Sequence, residues 1–554
     1  MNRWILRIVF AMVMLILAPS AIACDEKKPS DVAVTVHGGA GQVSGSLAML
    51  EATDGTWMID CGIYYPEVGE TAEERQAIAG EASNRLPAGA TEVDGVFLTH
   101  AHLDHIGRLP LMVRQGYEGP VYATRETIQI AAPMLRMQIR YEAGRERSWS
   151  WSNRDRSADY VKAHWNRDCQ WANRISSRNR AIFRGTIGEL EDSLERGAKP
   201  RSVSPCKVCA DGELRPVLRL MKPTALYTTV KLGPNAVAIP IDAGHIPGSC
   251  SWMFEVDGDE EPFKILFSGD LGGPGSTIIE GPSPAPDADV VFVETTYGCK
   301  PVQRPVEDEL RAFREGLGEV LAKGGVVWIP SFALDRTQKV LHQIRIAQRE
   351  GFIPAGIPVV VPSPTAAAVS DVYEAERRGG GFRDEWSKDP TNLTPPGYTR
   401  KLDEDSPPEP PVILVTTSGM MESAFSGEFL EEYLPRQDVT VLLVGYQDPF
   451  SPGGLLEKDG VERKDATSWL LKTSEGEEIE VRATIRRFSG FSAHAKANDL
   501  DVWLERQDRE LTRVMLVHGE ASALEERQSC LRETGWQAVD VPISGNRYVF
   551  RAVP

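Results

Sequence analysis

The sequence has no surplus of positive charge: 61 Lys and Arg stand against 79 Asp and Glu, a formal net charge of −18 at pH 7. Such a chain carries no basic footprint for wrapping duplex DNA, so any contact with nucleic acid must be local. Cysteine is sparse, eight in 554 residues, at spacings that make no disulfide scaffold. Histidine is scarce as well, with nine. Long apolar runs are confined to the first residues, and no internal repeat is present. With 42% hydrophobic and 25% charged residues, the composition is that of a globular protein rather than a disordered or multi-span membrane one. A single hydrophobic core stops growing near ~250–300 residues, so a chain of this length predicts two or more domains.

Arg3 and Arg7 precede the apolar run Ile8 to Leu17, and Ala21-Ile22-Ala23 follows with small residues where a signal peptidase reads. Residues 1–23 are therefore expected to be a secretory signal. Cys24 leaves a lipoprotein variant open, although Ala21 stands where a lipobox prefers Leu. The run is short and flanked by Pro19, a poor membrane span, so the mature chain is expected to have none. An exported or periplasmic location follows if the signal is used, and a cytoplasmic one otherwise.

From residue 31 the chain alternates short strand-like and helical segments, the rhythm of an α/β layered domain. Residues 48–52 and 56–60 read as a hairpin across Asp54-Gly55. A second α/β block spans 305–480, and Gly379 to Pro411 reads as a surface excursion within it. Residues 140–222 break the pattern. From Arg140 to Arg184 there are eleven Arg and Lys against five Asp and Glu, interleaved with Trp149, Trp151, Trp165 and Trp171. This stretch is either a strand-tracking platform for nucleic acid or an amphipathic helical pair with its own tryptophan core.

The sharpest feature is Thr99-His100-Ala101-His102-Leu103-Asp104-His105, which follows the strand-like Gly95-Val96-Phe97-Leu98. It puts four metal-ligand side chains into six residues of a loop. In extended chain His100 and His102 point the same way, while Asp104 and His105 turn toward a neighbouring position, so the four can be aimed at two adjacent cations.

His100 to His105 resembles the signature of the metallo-β-lactamase superfamily, and further segments resemble its β-CASP nucleases, the group of RNase J and the pre-mRNA 3′-end-processing endonuclease. Asp60 looks like the first motif, His245 in Gly244-His245-Ile246-Pro247-Gly248 the third, and Asp270 in Ser268-Gly269-Asp270 the fourth. Glu294, His494 and His518 look like motifs A, B and C. Six of the nine histidines thus fall in motif positions.

The resemblance implies an αββα metallo-β-lactamase sandwich over 31–304 and 481–554, with a β-CASP α/β domain inserted at 305–480. It implies that His100, His102 and His245 hold one zinc, that Asp104, His105 and His518 hold the other, and that Asp270 bridges them. It leaves manganese open in place of zinc. A two-metal-activated hydroxide would attack a phosphodiester, with Asp104, Glu294 and His494 in catalytic roles: His494 as general acid, Glu294 fixing its ring and raising its pKa. A histidine at motif C accompanies the RNA-processing branch of the family, which points to RNA as the partner, and a lid-like inserted domain narrowing the cleft would favour single strands.

The sequence departs from the family pattern around the inserted block. Asp335 stands where a small residue is usual, Asp448-Pro449 follows Gly445-Tyr446-Gln447, and Lys496 stands where an Asp is common. Ser331 and Arg336 resemble a family helix start, and Ser418-Gly419 resembles a phosphate-contacting loop, so these four are candidate substrate contacts. Cys206-Lys207-Val208-Cys209 with His164 and Cys169 is half a zinc ribbon, a disulfide set, or ordinary thiols. Cys61, Cys250 and Cys299 are expected to pack rather than react.

The expected activity is metal-dependent cleavage of RNA phosphodiester bonds. Two other readings remain: an exported hydrolase of the same fold acting on another phosphodiester or ester, and a non-catalytic RNA-binding relative. A homo-oligomer is left open.

Overall fold

The computed structural model describes residues 31–65, 72–145, 205–256, 261–300, 304–377, 381–388, 393–400, 409–422, 424–462, 468–473 and 478–551. Two seven-stranded sheets and one six-stranded sheet carry the architecture. The first sheet runs in the order Arg547–Arg551, Asp31–Gly38, Leu47–Ala52, Gly55–Ile59, Gly95–Phe97, Val121–Ala123, Met221–Pro223. The second runs Ala538–Asp540, Arg513–Val517, Val290–Glu294, Phe263–Phe267, Cys250–Val256, Ala236–Asp242, Val230–Lys231.

These two sheets pack face to face because their strands alternate apolar side chains toward a shared core. Val34, Leu50, Trp57 and Phe97 from the first meet Ala238, Trp252, Phe254 and Phe292 from the second. Phe97 is fully buried, with Trp252 and Phe254 edge-on at 4.9 and 5.1 Å. Replacing it by Ala would cost about 3–5 kcal/mol through lost contact and the cavity left behind. The outer faces are equally apolar and are covered by helices. Met58, Val96 and Leu98 pack under the helical layer that includes Arg125–Arg145 and Pro205–Leu220. Val291, Val293 and Leu516 pack under Ala497–Trp503 and Ala521–Glu533. The result is the αββα sandwich that the sequence implied.

The third sheet, in the order Tyr398–Thr399, Val359–Val360, Val412–Thr416, Val326–Pro330, Val439–Leu443, Thr484–Arg487, is parallel throughout. Its central strands are buried at every position, as a sheet with helices on both faces requires. Thr484–Arg487 lies beyond residue 480, where the sequence put the end of the inserted block. The chain must pass the helix Pro452–Glu462 and the hairpin of Trp469–Lys472 with Glu478–Val481 before adding that edge strand.

Two other expectations change. The stretch 379–411 does not simply run over the surface, since Phe382, Trp386 and Leu393 are buried and Tyr398–Thr399 joins the third sheet. The two ends of 140–222 belong to the sandwich: residues 140–145 finish the helix Arg125–Arg145, Leu214 and Val217 are buried in the same helical layer, and Met221–Pro223 pairs with Val121–Ala123. Trp149, Trp151, Trp165, Trp171, His164 and Cys169, like the signal-like residues 1–23, lie outside the described residues. Cys206 and Cys209 fall within the first five residues of the helix Pro205–Leu220. Among the described residues, no helix is long and apolar enough to cross a membrane.

Candidate metal and catalytic centre

Strand after strand delivers a polar residue to the same rim of the sandwich. His100 follows Gly95–Phe97, Asp60 follows Gly55–Ile59, His245 follows Ala236–Asp242, Asp270 follows Phe263–Phe267 and His518 follows Arg513–Val517, while Glu294 ends Val290–Glu294. Backbone approach at the rim is close. A Cβ on Gly272 would meet the Gly244 carbonyl oxygen at 1.7 Å, so the turns carrying His245 and Asp270 fit together only with glycine there. Asp60 and His518 themselves adopt positive φ, 58° and 51°, a strained setting for residues that are not glycine and one common at functional sites.

Two donor groups form. His100, His102, His245 and Asp270 make one, and Asp104, His105 and His518 the other, the ligand atoms within each lying within 4.8 Å of one another. In the first, His102 Nδ1 lies 2.9 Å from His100 Nε2 and 3.3 Å from His245 Nε2. In the second, His105 Nε2 lies 3.2 Å from His518 Nε2, with Asp104 Oδ2 at 3.4 Å from the latter. Asp270 faces both groups. Its Oδ2 is 3.4 Å from His100 and 3.6 Å from His245, and its Oδ1 is 3.2 Å from His105 and 3.5 Å from His518.

This arrangement fits a pair of cations. Ring nitrogens facing one another near 3 Å cannot all donate and accept, and Asp270 Oδ1 is buried with no hydrogen-bond donor. A cation in each group would satisfy both conditions. Burial, then the neighbouring charge of His100, pushes His102 down to about 3, and burial with His494 holds His245 well below its ordinary value. Both rings are thus neutral, as ligands must be. Burial raises the Asp270 carboxyl, but the surrounding imidazoles outweigh it and hold the group ionised.

A shell of carboxylate and hydroxyl groups fixes these rings. Asp60 accepts from the Thr99 backbone N–H at 2.8 Å, from the Thr99 hydroxyl at 2.8 Å and from His105 Nδ1 at 2.7 Å, leaving His105 Nε2 for the centre. Thr99 Oγ1 in turn lies 3.0 Å from His100 Nδ1.

His494 stands beside the two groups rather than within them. Its Nδ1 is 3.1 Å from Glu294 Oε1 and 4.0 Å from Asp270 Oδ2. Glu294 is buried and held in turn by the Leu271 N–H at 2.8 Å and the Thr296 hydroxyl at 2.6 Å. Burial lowers the His494 pKa, but Glu294 and then Asp270 and Tyr297 outweigh it and raise the ring to about 9.

The structure therefore brings Asp60, His100, His102, Asp104, His105, His245, Asp270, Glu294, His494 and His518 into one centre. The four candidate substrate contacts gather elsewhere, at the carboxyl ends of the third sheet. Ser331 is buried, its hydroxyl between Thr337 Oγ1 and the Phe332 carbonyl. Gly419 packs on Phe332 and its carbonyl accepts from Gln447. The Ser418 hydroxyl accepts from the Glu422 N–H. These three serve their own loops. Arg336 donates to the Val444 carbonyl, and its charge reaches Tyr297 beside His494.

Sequence reasoning missed Thr99 and Thr296, whose hydroxyls link the motif residues; their only signal is position, each adjoining or near a motif residue. It also missed a disulfide. Cys299, expected to pack, is bonded to Cys530 across 231 residues, tying the loop after Glu294 to the helix after His518. Cys61 and Cys250 are buried free thiols, as expected.

Fold and donor set together define a hydrolase of the metallo-β-lactamase type. Family models agree along the chain: residues 40–165 match the metallo-β-lactamase superfamily, 337–456 the Beta-Casp domain, and 478–541 the Zn-dependent metallo-hydrolase RNA specificity domain. Ribonuclease TTHA0252 of Thermus thermophilus is 29% identical over 500 residues, which cover 89% of this chain and 94% of that protein. The RNase J-like protein of Methanocaldococcus jannaschii is 24% identical over 499 residues, covering 88% and 93%. Transcription termination factor FttA of Cenarchaeum symbiosum is 25% identical over 504 residues, which cover 89% of this chain but 66% of that longer protein. The chain thus carries a metallo-β-lactamase domain, a Beta-Casp domain and an RNA specificity domain, in an order that resembles the β-CASP nucleases.

Proposed function

We propose that the protein is a di-zinc ribonuclease that hydrolyses phosphodiester bonds of single-stranded RNA. The observation that carries this reading is Asp270, one oxygen turned to each donor group, with the His494–Glu294 pair 4.0 Å away. The substrate class is supported by the ribonuclease among its relatives, by the RNA specificity model over 478–541, and by the histidine at position 518.

Five imidazoles and two carboxylates suit zinc, with manganese the nearest substitute. Two such ions would supply an activated water and neutralise charge on the phosphoryl oxygens. The chain's own residues do the rest. Asp60 and Thr99 hold His105 and His100 in the tautomer that presents Nε2. Asp104 and Asp270 offset the positive charge of the centre. Glu294 takes the Nδ1 proton of His494 in a hydrogen bond and keeps the ring protonated, so that Nε2–H is ready to donate to the leaving oxygen.

The test is incubation of metal-loaded protein with end-labelled single-stranded RNA and DNA, beside Asp104→Ala and His494→Ala. Both variants are expected to lose cleavage, and only His494→Ala to keep its metal. Full activity in His494→Ala would remove that residue from the mechanism.

A second reading, an exported hydrolase working on RNA or another phosphodiester outside the cytoplasm, is favoured by the Cys299–Cys530 bridge, since such bonds persist in oxidising compartments. Fractionation of cells with N-terminal sequencing of the mature chain separates the two. A cytoplasmic product beginning near Asp31 with reduced Cys299 would sink export. A non-catalytic role is disfavoured because the expected donor set is complete.

A further inference from the structure

Lys496 is a poor choice for its local position. It is the N-cap of the helix Ala497–Trp503, where a side-chain acceptor is preferred and a cation opposes the helix dipole. Asp499 compensates by accepting the Lys496 backbone N–H at 2.9 Å. The ammonium meets an aromatic face instead of a carboxylate: Nζ lies 3.2 Å from the centroid of the Tyr297 ring. Other cations near the inserted domain are matched conventionally, Lys339 to Asp335, Arg314 to Glu307 and Arg487 to Glu457.

The placement is not neutral with respect to the catalytic centre. Lys496 lies two residues beyond His494, is itself extended at φ −91° and ψ 170°, and shares a neighbour with it, the Tyr297 ring. Tyr297 is the wedge between them. Its ring stands edge-on to His494 at 6.2 Å, and its hydroxyl donates to Ser492 Oγ at 2.7 Å, which fixes the ring and with it the ammonium. From the inserted domain, the buried Nε of Arg336 has no acceptor, and the charges of Lys496, His494 and Arg336 together lower the Tyr297 pKa although burial raises it. Two cations, Lys496 and Arg336, thus act on the Tyr297 ring beside His494 in a molecule whose net charge is −18.

We propose that Lys496, seated on Tyr297, holds the RNA phosphate next to the scissile one on the leaving-group side, and so sets a preference for polynucleotides over minimal diesters. The inference rests on the ribonuclease reading. A free phosphodiester has no second phosphate to offer this ammonium, whereas an RNA strand presents one per nucleotide. The cation–π contact keeps Nζ in place without neutralising it, as a carboxylate partner would.

The experiment compares wild type, Lys496→Met, which keeps the stem on the ring without the charge, and Lys496→Arg, which restores the charge. Each zinc-loaded protein is assayed on a single-stranded RNA 12-mer and on bis(p-nitrophenyl) phosphate over a range of salt. In Lys496→Met the RNA KM is expected to rise about five- to tenfold, and the slope of log KM against log salt to fall by about 0.7, the value for one lost phosphate contact on a single strand. The loss on RNA should exceed that on the small diester at least fivefold, and Lys496→Arg should recover most of it. Equal losses on both substrates, or an unchanged salt slope, would overturn the assignment and leave the ribonuclease reading intact. A wild type that hydrolyses the small diester but no RNA would overturn both.

Discussion

Replacing Glu294 by Gln isolates the charge that keeps His494 protonated. Gln keeps the shape and an acceptor for the Leu271 N–H, so the fold should hold. What disappears is an anion 3.1 Å from His494 Nδ1, the main force lifting that ring from 6.5 to about 9 against a burial that lowers it. Without it the pKa returns to the ordinary histidine value or below, a change of about 2.5 pH units or more, worth about 3 kcal/mol between the two protonation states. A general acid must carry its proton, so activity is lost as pH rises through the folded pKa. At pH 7.5 a ring of pKa about 9 is nearly all protonated and one of 6.5 only about a tenth, so the variant should be roughly tenfold slower from protonation alone. Cations nearby would lower both pKa values together, so the separation of the two alkaline limbs is the quantity to read. The assay is initial rate on labelled RNA from pH 6 to 9.5 with zinc in excess. The variant should approach wild type at the acid end and diverge upward in pH. Parallel profiles, however slow the variant, would refute the assignment of Glu294 as the group that tunes His494.

Three further outcomes are expected. Asp270→Asn should fall from about two metals per chain to below about one by elemental analysis, because both groups lose a shared charge; an undiminished count would show that the two groups do not share it. Asp60→Ala should weaken metal binding about 10- to 100-fold in competition with a chelator, since His105 loses the partner of its Nδ1; unchanged affinity would make Asp60 a folding residue only. Reduction of Cys299–Cys530 should lower stability in urea by about 2–5 kcal/mol, the range for losing a native bridge; superimposable curves for oxidised and reduced protein would count against the bridge.

The candidate donor set was legible because coordination chemistry allows few residue types, and the histidines among them are scarce here. His100 to His105 could be read from residue type and spacing alone. His245, Asp270 and His518 needed the resemblance, because no local pattern distinguishes a ligand at a strand end from a hydrogen-bonded residue there. The loops expected to face substrate were less legible. Ser331 and Gly419 look available in sequence, yet strand ends must satisfy their own polar groups, and the Thr337 hydroxyl and Gln447 amide claim them first. The segment 379–411 misled in the opposite sense: its Gly, Pro and charge suggested exposure, whereas Phe382, Trp386 and Leu393 anchor it. Thr296 escaped notice because a threonine hydroxyl declares nothing until Glu294, His494 and His518 surround it.

The strand Asp31–Gly38 pairs with Arg547–Arg551, and the Gly39 carbonyl just beyond it accepts the His518 backbone N–H at 2.6 Å. The earliest and latest described segments of the fold therefore meet beside the second donor group, which stays incomplete until His518 has been made. A chain still on the ribosome at residue 500 carries the first cluster's ligands but not the complete pair. Cutting capacity would then wait for His518 to be made and brought beside Gly39.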